Sequence, residues 1–287
     1  MIGGSRLSSA ALAACRAVSG ERDIVGASAA PTTREQLARE LGALGVRPGS
    51  VVLVHSSLSA LGWVCGGAQA VVHALLDALG PEGTLVVPAH TTDNSDPAGW
   101  GRPPVPEDWW PVIRGHMPAF DPLRTPARGL GVIAEFTRTW PGAVRSAHPQ
   151  DSFAAIGPQA ETVTARHALE SGLGERSPLA RIHDLEGDVL LLGVGHGANT
   201  SMHLAEHRVP APKHEAYGAA VAGPEGRRWA TWEDVVADES DFPALGAAFD
   251  ATGKTRTGPV GAGHARLMGQ RELVAFAVGW LTEHRRG

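Results

Sequence analysis

The chain has 287 residues, of which 43% are hydrophobic and 19% charged, and its formal net charge is −5. It is long enough to bury a large core, and the charge speaks against nucleic acid as a partner, because a phosphate-binding face is basic, while fitting a cationic small molecule. No apolar run reaches the roughly 20 residues of a membrane span, no basic-then-apolar export signal opens the chain, and Cys15 and Cys65 make neither a disulfide framework nor a Cys-based zinc site; the expectation is a cytoplasmic protein with no membrane partner and no metal.

Residues 1–30 are small and polar and read as a flexible N-terminal arm, leaving 31–287 as one domain. Thr33 is placed to cap a helix that carries Leu37, Leu41 and Leu44 at helical spacing and stops at Gly45. Val51 to Val54 is a short apolar run, the pattern of a strand buried on both faces. A helix through Val71, Val72, Leu75, Leu76 and Leu79 follows, is broken by Gly80-Pro81-Glu82-Gly83, and leads to a strand at Thr84 to Pro88. This alternation predicts an α/β fold: a mostly parallel central sheet covered by helices.

Residues 89–128, rich in Pro, Trp and Asp, read as a long irregular insertion of the kind that tends to carry function. A helix is predicted from Leu130 to Arg138, a buried strand at Val189 to Leu192, a glycine turn at Gly193-Val194-Gly195, and a helix from about Thr200 to His207. The span 210–260 reads as turns and edge strands, and a final helix covers about Gln270 to Glu283.

Two segments could carry chemistry. His55-Ser56-Ser57-Leu58-Ser59 directly follows a buried strand, and the carboxyl ends of strands are where open α/β sheets bind ligands. Its N–H groups and hydroxyls suit a phosphate, although a plain polar turn has the same composition. Downstream, His203 and Glu206 stand three apart on one helix face. An imidazole oriented by a carboxylate suits a general base; an ordinary helix histidine is the plainer alternative. His203-Leu204-Ala205-Glu206-His207 also matches the His-x-x-Glu-His pattern of inverted zinc peptidases, which would make the chain a zinc hydrolase. Acidic residues cluster at Glu233, Asp234, Asp238, Glu239 and Asp241, a solvated face or, within a pocket, a polycation site.

Several segments, in order, resemble the aminoglycoside 3-N-acetyltransferase family, also called the antibiotic N-acetyltransferases. They are Val54 to Ser59, Gly83 to Pro88, Arg145-Ser146-Ala147-His148-Pro149 with Ser152 to Ala155, Ser177-Pro178-Leu179, and Leu191 to Gly195 leading into Asn199 to Glu206. Glu107-Asp108-Trp109-Trp110-Pro111, with Met117 to Phe120, is similar to the YokD-like branch.

The resemblance implies the antibiotic N-acetyltransferase fold, distinct from GNAT, and acetyl-coenzyme A as cosubstrate. It implies direct transfer to the 3-amino group of a 2-deoxystreptamine aminoglycoside, giving antibiotic resistance, or the same chemistry on a different, non-antibiotic amine. In the family's pattern His203 is the base and Ser56 to Ser59 contact the coenzyme. Glu239 and Asp241, with either Asp93 or Asp96, line the acceptor pocket. We further expect Glu206 to orient His203, Thr200 or a backbone N–H to face the oxyanion, and His55 to join the coenzyme loop. Arg145 and His148 either contact the coenzyme or hold loops in place. A monomer or homodimer is expected.

Overall fold

The computed structural model describes residues 20–101 and 103–285. The strands are β1 (Val51–Ser56), β2 (Thr84–Pro88), β3 (Val144–Arg145), β4 (Phe153–Ile156), β5 (Asp188–Leu192), β6 (His214–Gly223), β7 (Gly226–Val235), β8 (Arg256–Val260) and β9 (Gly263–Gly269). Among the described residues, seven of them form one sheet in the order β3-β4-β2-β1-β5-β9-β8, and β6 with β7 forms a separate ribbon.

The centre of the sheet is parallel: β1 pairs with β2 on one side and with β5 on the other. The flanks are antiparallel. At one edge the direction follows from the connection: β8 and β9 are joined by Gly261-Ala262 alone, and a two-residue turn can only reverse the chain.

Alternation along the central strands explains why they read as unbroken apolar runs. Val52, Val54, Leu85, Val87, Leu190 and Leu192 face one core with the helices Arg34–Leu44, Gly67–Leu79 and Gly131–Arg138. Val51, Leu53, Val86, Val189 and Leu191 face the other, with the helices Pro178–Asp184, Ser201–Glu206, Phe242–Asp250 and Gln270–His284. Each fully buried Val or Leu contributes about 1.5–3 kcal/mol relative to exposure, so both faces hold the strand ends in register.

Local signals act as expected at the first core helix. The Thr33 side chain accepts the Gln36 N–H at 3.2 Å, and Gly45 ends the helix at φ 111°. Of the N-terminal arm, residues 1–19 lie outside the described residues, and Glu21–Ala27 forms a short helix.

Elsewhere the structure is more regular than the sequence suggests. The insertion contains the helix Trp110–His116. The span 210–260 holds the ten-residue strands β6 and β7 and the helix Phe242–Asp250, whose Pro243 sits in its first turn rather than in a loop. The ribbon is stitched to the insertion and to the loop before β4: Asn94 exchanges side-chain hydrogen bonds with the Ala220 backbone, and Gln150 Nε2 donates to Gly218 O at 3.0 Å. It thereby brings Tyr217, Trp232 and Asp234 into one pocket with His203. No helix among the described residues is long and apolar enough to cross a membrane.

Candidate active site

The carboxyl ends of β1, β2 and β5 open into a cleft of about 920 Å³, at the large end of the range for small-molecule sites. Its walls are the loop Ser56 to Ser59, the start of the helix Gly131–Arg138, and the segment Gly197 to Thr200; His203 stands at the inner end. Ser59–Leu61 is a single 3-10 turn, so its first N–H groups have no partner within the turn. Ser57 Oγ and Ser59 Oγ lie 3.1 Å apart on the same loop. The glycines at 129 and 131, both at positive φ, bring a second helix start to the cleft, a wall the sequence reading left unassigned.

His203 and Glu206 are brought together as their spacing predicts. His203 Nδ1 is 2.6 Å from Glu206 Oε2, which fixes the ring proton on Nδ1 and leaves Nε2 as the free lone pair. The imidazole packs on Phe242, 4.7 Å between ring centres, and is 12% exposed at the junction of the cleft with a second pocket. Thr200 lies just before this helix, buried, on the cleft wall. The helix is anchored from below: Gln270 Nε2 donates to Ser201 Oγ at 3.1 Å and to Leu179 O at 3.2 Å.

Two more histidines face the cleft. His55 is 5% exposed, and its Nε2 has no hydrogen-bond partner; the same is true of His90 Nε2. Burial, helped by the charges of neighbouring histidines, lowers the His55 imidazole to about 3, and burial lowers His90 to about 4. As pH falls below the unfolded value of about 6.5, the unfolded chain takes up these protons first, so stability is lost through the window from 6.5 downward. For His55 the loss should be about 2 kcal/mol by pH 5. Urea unfolding at pH 7 and pH 5 checks this: His55→Gln should lose less stability than wild type, and equal losses would refute it.

The second pocket, of about 250 Å³, adjoins His203 and is lined by Asp151, Tyr217, Trp232 and Asp234. The Asp234 carboxylate is nearly buried and accepts the Gly172 N–H at 2.7 Å. Asp151 and Asp234 converge over Gly172, where an added Cβ would meet Asp151 Oδ2 at 2.3 Å and Asp234 Oδ2 at 3.3 Å. Tyr217 and Trp232 stack beside them, 6.2 Å apart. Two carboxylates and an aromatic wall suit an ammonium group.

These acids are not the ones that the resemblance implies for the acceptor pocket. Glu239 does line the large cleft. Asp93, exposed, pairs with Arg128 at 2.7 Å and borders a different cavity. Asp96 is bound by Arg114 and accepts the Ala98 N–H, and Asp241 is bound by Arg285. Asp234 was within reach as a member of the acidic run. Read as a strand, Ala230, Trp232 and Asp234 share one face, and Ala230 and Asp234 are buried while Thr231 and Glu233 are exposed.

Of the two roles considered for Arg145 and His148, the geometry favours holding loops. Arg145 donates to Ser152 Oγ and to the carbonyls of Ala89, Pro122 and Thr125, with its guanidinium over Phe120. His148 Nδ1 accepts the N–H groups of Gln150 and Asp151 at 3.2 and 2.9 Å, so its proton sits on Nε2 and goes to Leu169 O. This clamp sets the position of Asp151. In the zinc alternative His203 and His207 would converge on one ion. Instead His203 turns to Glu206 and His207 Nδ1 lies 3.8 Å from Asp234.

Both the sequence and the fold are similar to those of known proteins. The family model described as aminoglycoside 3-N-acetyltransferase matches residues 53–282. The SPbeta prophage-derived aminoglycoside N(3')-acetyltransferase-like protein YokD of Bacillus subtilis is 43% identical over 90% of this chain and 96% of its own length. The crystal structure of YokD superposes with a TM-score of 0.91, covering 92% of this chain and 98% of that one. Aminoglycoside N(3)-acetyltransferase VIII of Streptomyces fradiae is 38% identical over 93% of this chain and 97% of its own. The structure of AAC-IIIb in a binary complex with CoASH, 36% identical, gives a TM-score of 0.79 over 88% of this chain and 97% of that one.

Proposed function

The chain belongs to the aminoglycoside 3-N-acetyltransferase family, and from that premise we propose that it moves the acetyl group of acetyl-coenzyme A directly to the 3-amino group of a 2-deoxystreptamine aminoglycoside, with His203 as general base. The observation that carries this reading is the oriented His203–Glu206 pair standing where the large cleft meets the acidic pocket.

The acceptor enters the small pocket with its ammonium groups toward Asp151 and Asp234, and the reacting nitrogen as the free amine. The nitrogen lone pair attacks the thioester carbonyl while His203 Nε2 takes the N–H proton, and Glu206 stabilises the imidazolium that forms. Collapse of the tetrahedral intermediate breaks the C–S bond, and the proton on His203 passes to the departing thiolate. The oxyanion needs donors that are placed before reaction; Thr200 and the N–H groups near it are the candidates. Coenzyme phosphates are assigned to the loop Ser56 to Ser59 and the adjacent helix start. A panel of amines assayed by thiol release tests the reading. Turnover with 2-deoxystreptamine aminoglycosides supports it; turnover confined to unrelated amines would leave the chemistry and remove the drug.

The coenzyme loop offers a separate handle. Gly193 adopts φ +72°, and a Cβ there would lie 2.6 Å from Ala60 Cβ and 3.2 Å from Ser57 O. Gly193→Ala should displace the loop, at about 1–3 kcal/mol, and weaken coenzyme binding about tenfold or more. Calorimetric titration with coenzyme A reads this; unchanged affinity in the folded variant would place the phosphates elsewhere.

A further inference from the structure

The carboxylate that orients His203 is itself held by a charge from the end of the C-terminal helix. Glu206 is 3% exposed. Its Oε2 faces His203 Nδ1, while its Oε1 accepts from the Asp238 backbone N–H at 3.2 Å and from Arg285 Nη1. Arg285 turns its other edge to Asp241, with Nε 2.7 Å from Oδ2 and Nη2 2.6 Å from Oδ1, and also donates to the Asp238 carbonyl. We propose that Arg285 is a positioning residue for acetyl transfer, which fixes the direction and ionisation of Glu206 and so sets how readily His203 accepts a proton; this rests on His203 being the base.

The physical case starts from Glu206. A buried carboxylate facing only an imidazole has two ways to relieve its desolvation: it can draw a proton onto the imidazole or take one itself. The first leaves His203 protonated and useless as a base near neutral pH. The second removes the acceptor that orients its ring. A guanidinium on the far oxygen opposes both, since it stabilises the ionised carboxylate and repels a proton arriving on His203. Asp241 tempers that charge from the other side.

Among the described residues, the remaining groups around His203 do not supply a substitute cation at this point. His207 caps its helix, with its imidazole pKa lowered by burial, and His55 and His90 approach from the strand ends with theirs lowered by burial to about 3 and about 4. Asp151 faces it across the acceptor pocket, and Asp238 and Glu239 come from the segment after β7. Each of these carboxylates is a negative charge near His203, and Arg285 is the opposing positive charge.

The two ends of the Arg285 bridge therefore predict shifts of opposite sign. In the full chain, Arg285→Met should raise the His203 pKa, measured from its imidazole proton resonance in the coenzyme-free protein, by about one unit or more. The acid limb of kcat/KM should move up with it. Asp241→Asn should move both down, because it frees Arg285 of its neutralising partner; the Asp241 side chain makes no capping bond to the helix it precedes, so the variant removes no helix cap. Arg285→Lys should return the His203 pKa part of the way. His203→Ala identifies the resonance. If the His203 pKa stays within about 0.2 units of wild type in both Arg285→Met and Asp241→Asn, Arg285 is merely structural and the proposal is overturned, whatever happens to turnover. If the resonance shifts while the acid limb stays put, His203 is not the base, and the role of Arg285 in transfer falls with it.

Discussion

Replacing His203 by alanine should slow acetyl transfer by about 10²–10⁴-fold, the usual contribution of a positioned general base, and leave coenzyme A affinity within a few-fold. The expectation follows from where the ring stands. Its Nδ1 is committed to Glu206, its face rests on Phe242, and its free nitrogen is at the junction of the two cavities. Removing it deletes the proposed proton acceptor without touching the loop Ser56 to Ser59. Thiol release under saturating acceptor, together with calorimetric coenzyme binding, separates the two effects. A variant that keeps about a tenth of wild-type turnover or more would be inconsistent with base catalysis by this residue. The residual rate comes from positioning the amine against the thioester.

The second large effect is expected in the acceptor pocket. Asp151→Asn and Asp234→Asn should each raise KM for a polycationic acceptor by about 30-fold or more, since truncating one partner of a desolvated charge pair costs about 2–5 kcal/mol. Coenzyme affinity should not follow. Asp151 is the cleaner test, because Asp234 also accepts the Gly172 N–H, and its variant needs a thermal melt beside the kinetics. Asp93→Ala serves as the contrast: its carboxylate is exposed and paired with Arg128 on another cavity, where loss of a surface ion pair is worth little. If Asp93→Ala impairs the acceptor and Asp151→Asn does not, the amine enters from the other cavity.

How far the sequence reveals this arrangement depends on the range of the interactions. The central strands and their helices are legible because burial on both faces leaves unbroken apolar runs at Val51 to Val54 and Val189 to Leu192, and because Thr33 and Gly45 mark helix ends by local chemistry. His203 and Glu206 are legible because one helix turn brings them together. The antiparallel flanks are not: β4 and β9 owe their places to partners far along the chain. The helix Phe242–Asp250 hides behind Pro243, which reads as a turn although its fixed φ equally suits the first turn of a helix. The acidic cluster shows the same limit most sharply. Composition finds Asp234, Glu239 and Asp241 together, but only the fold turns Asp234 inward against Asp151, leaves Glu239 on the rim, and gives Asp241 to Arg285.

The order of strands has a kinetic meaning as well. Val52 lies opposite Asp188 in the parallel pairing of β1 with β5, so the cleft floor is closed only after a very long stretch of chain has been drawn in. Contacts of such sequence separation pay their loop entropy before they return any stabilisation, which makes folding slow. Until β5 docks, the strand end at His55 and the helix carrying His203 are not neighbours, and a half-folded chain presents apolar strands without a cleft. A coenzyme seated in the proposed cleft would therefore recognise only the completed sheet, and its binding would draw the population toward the native state.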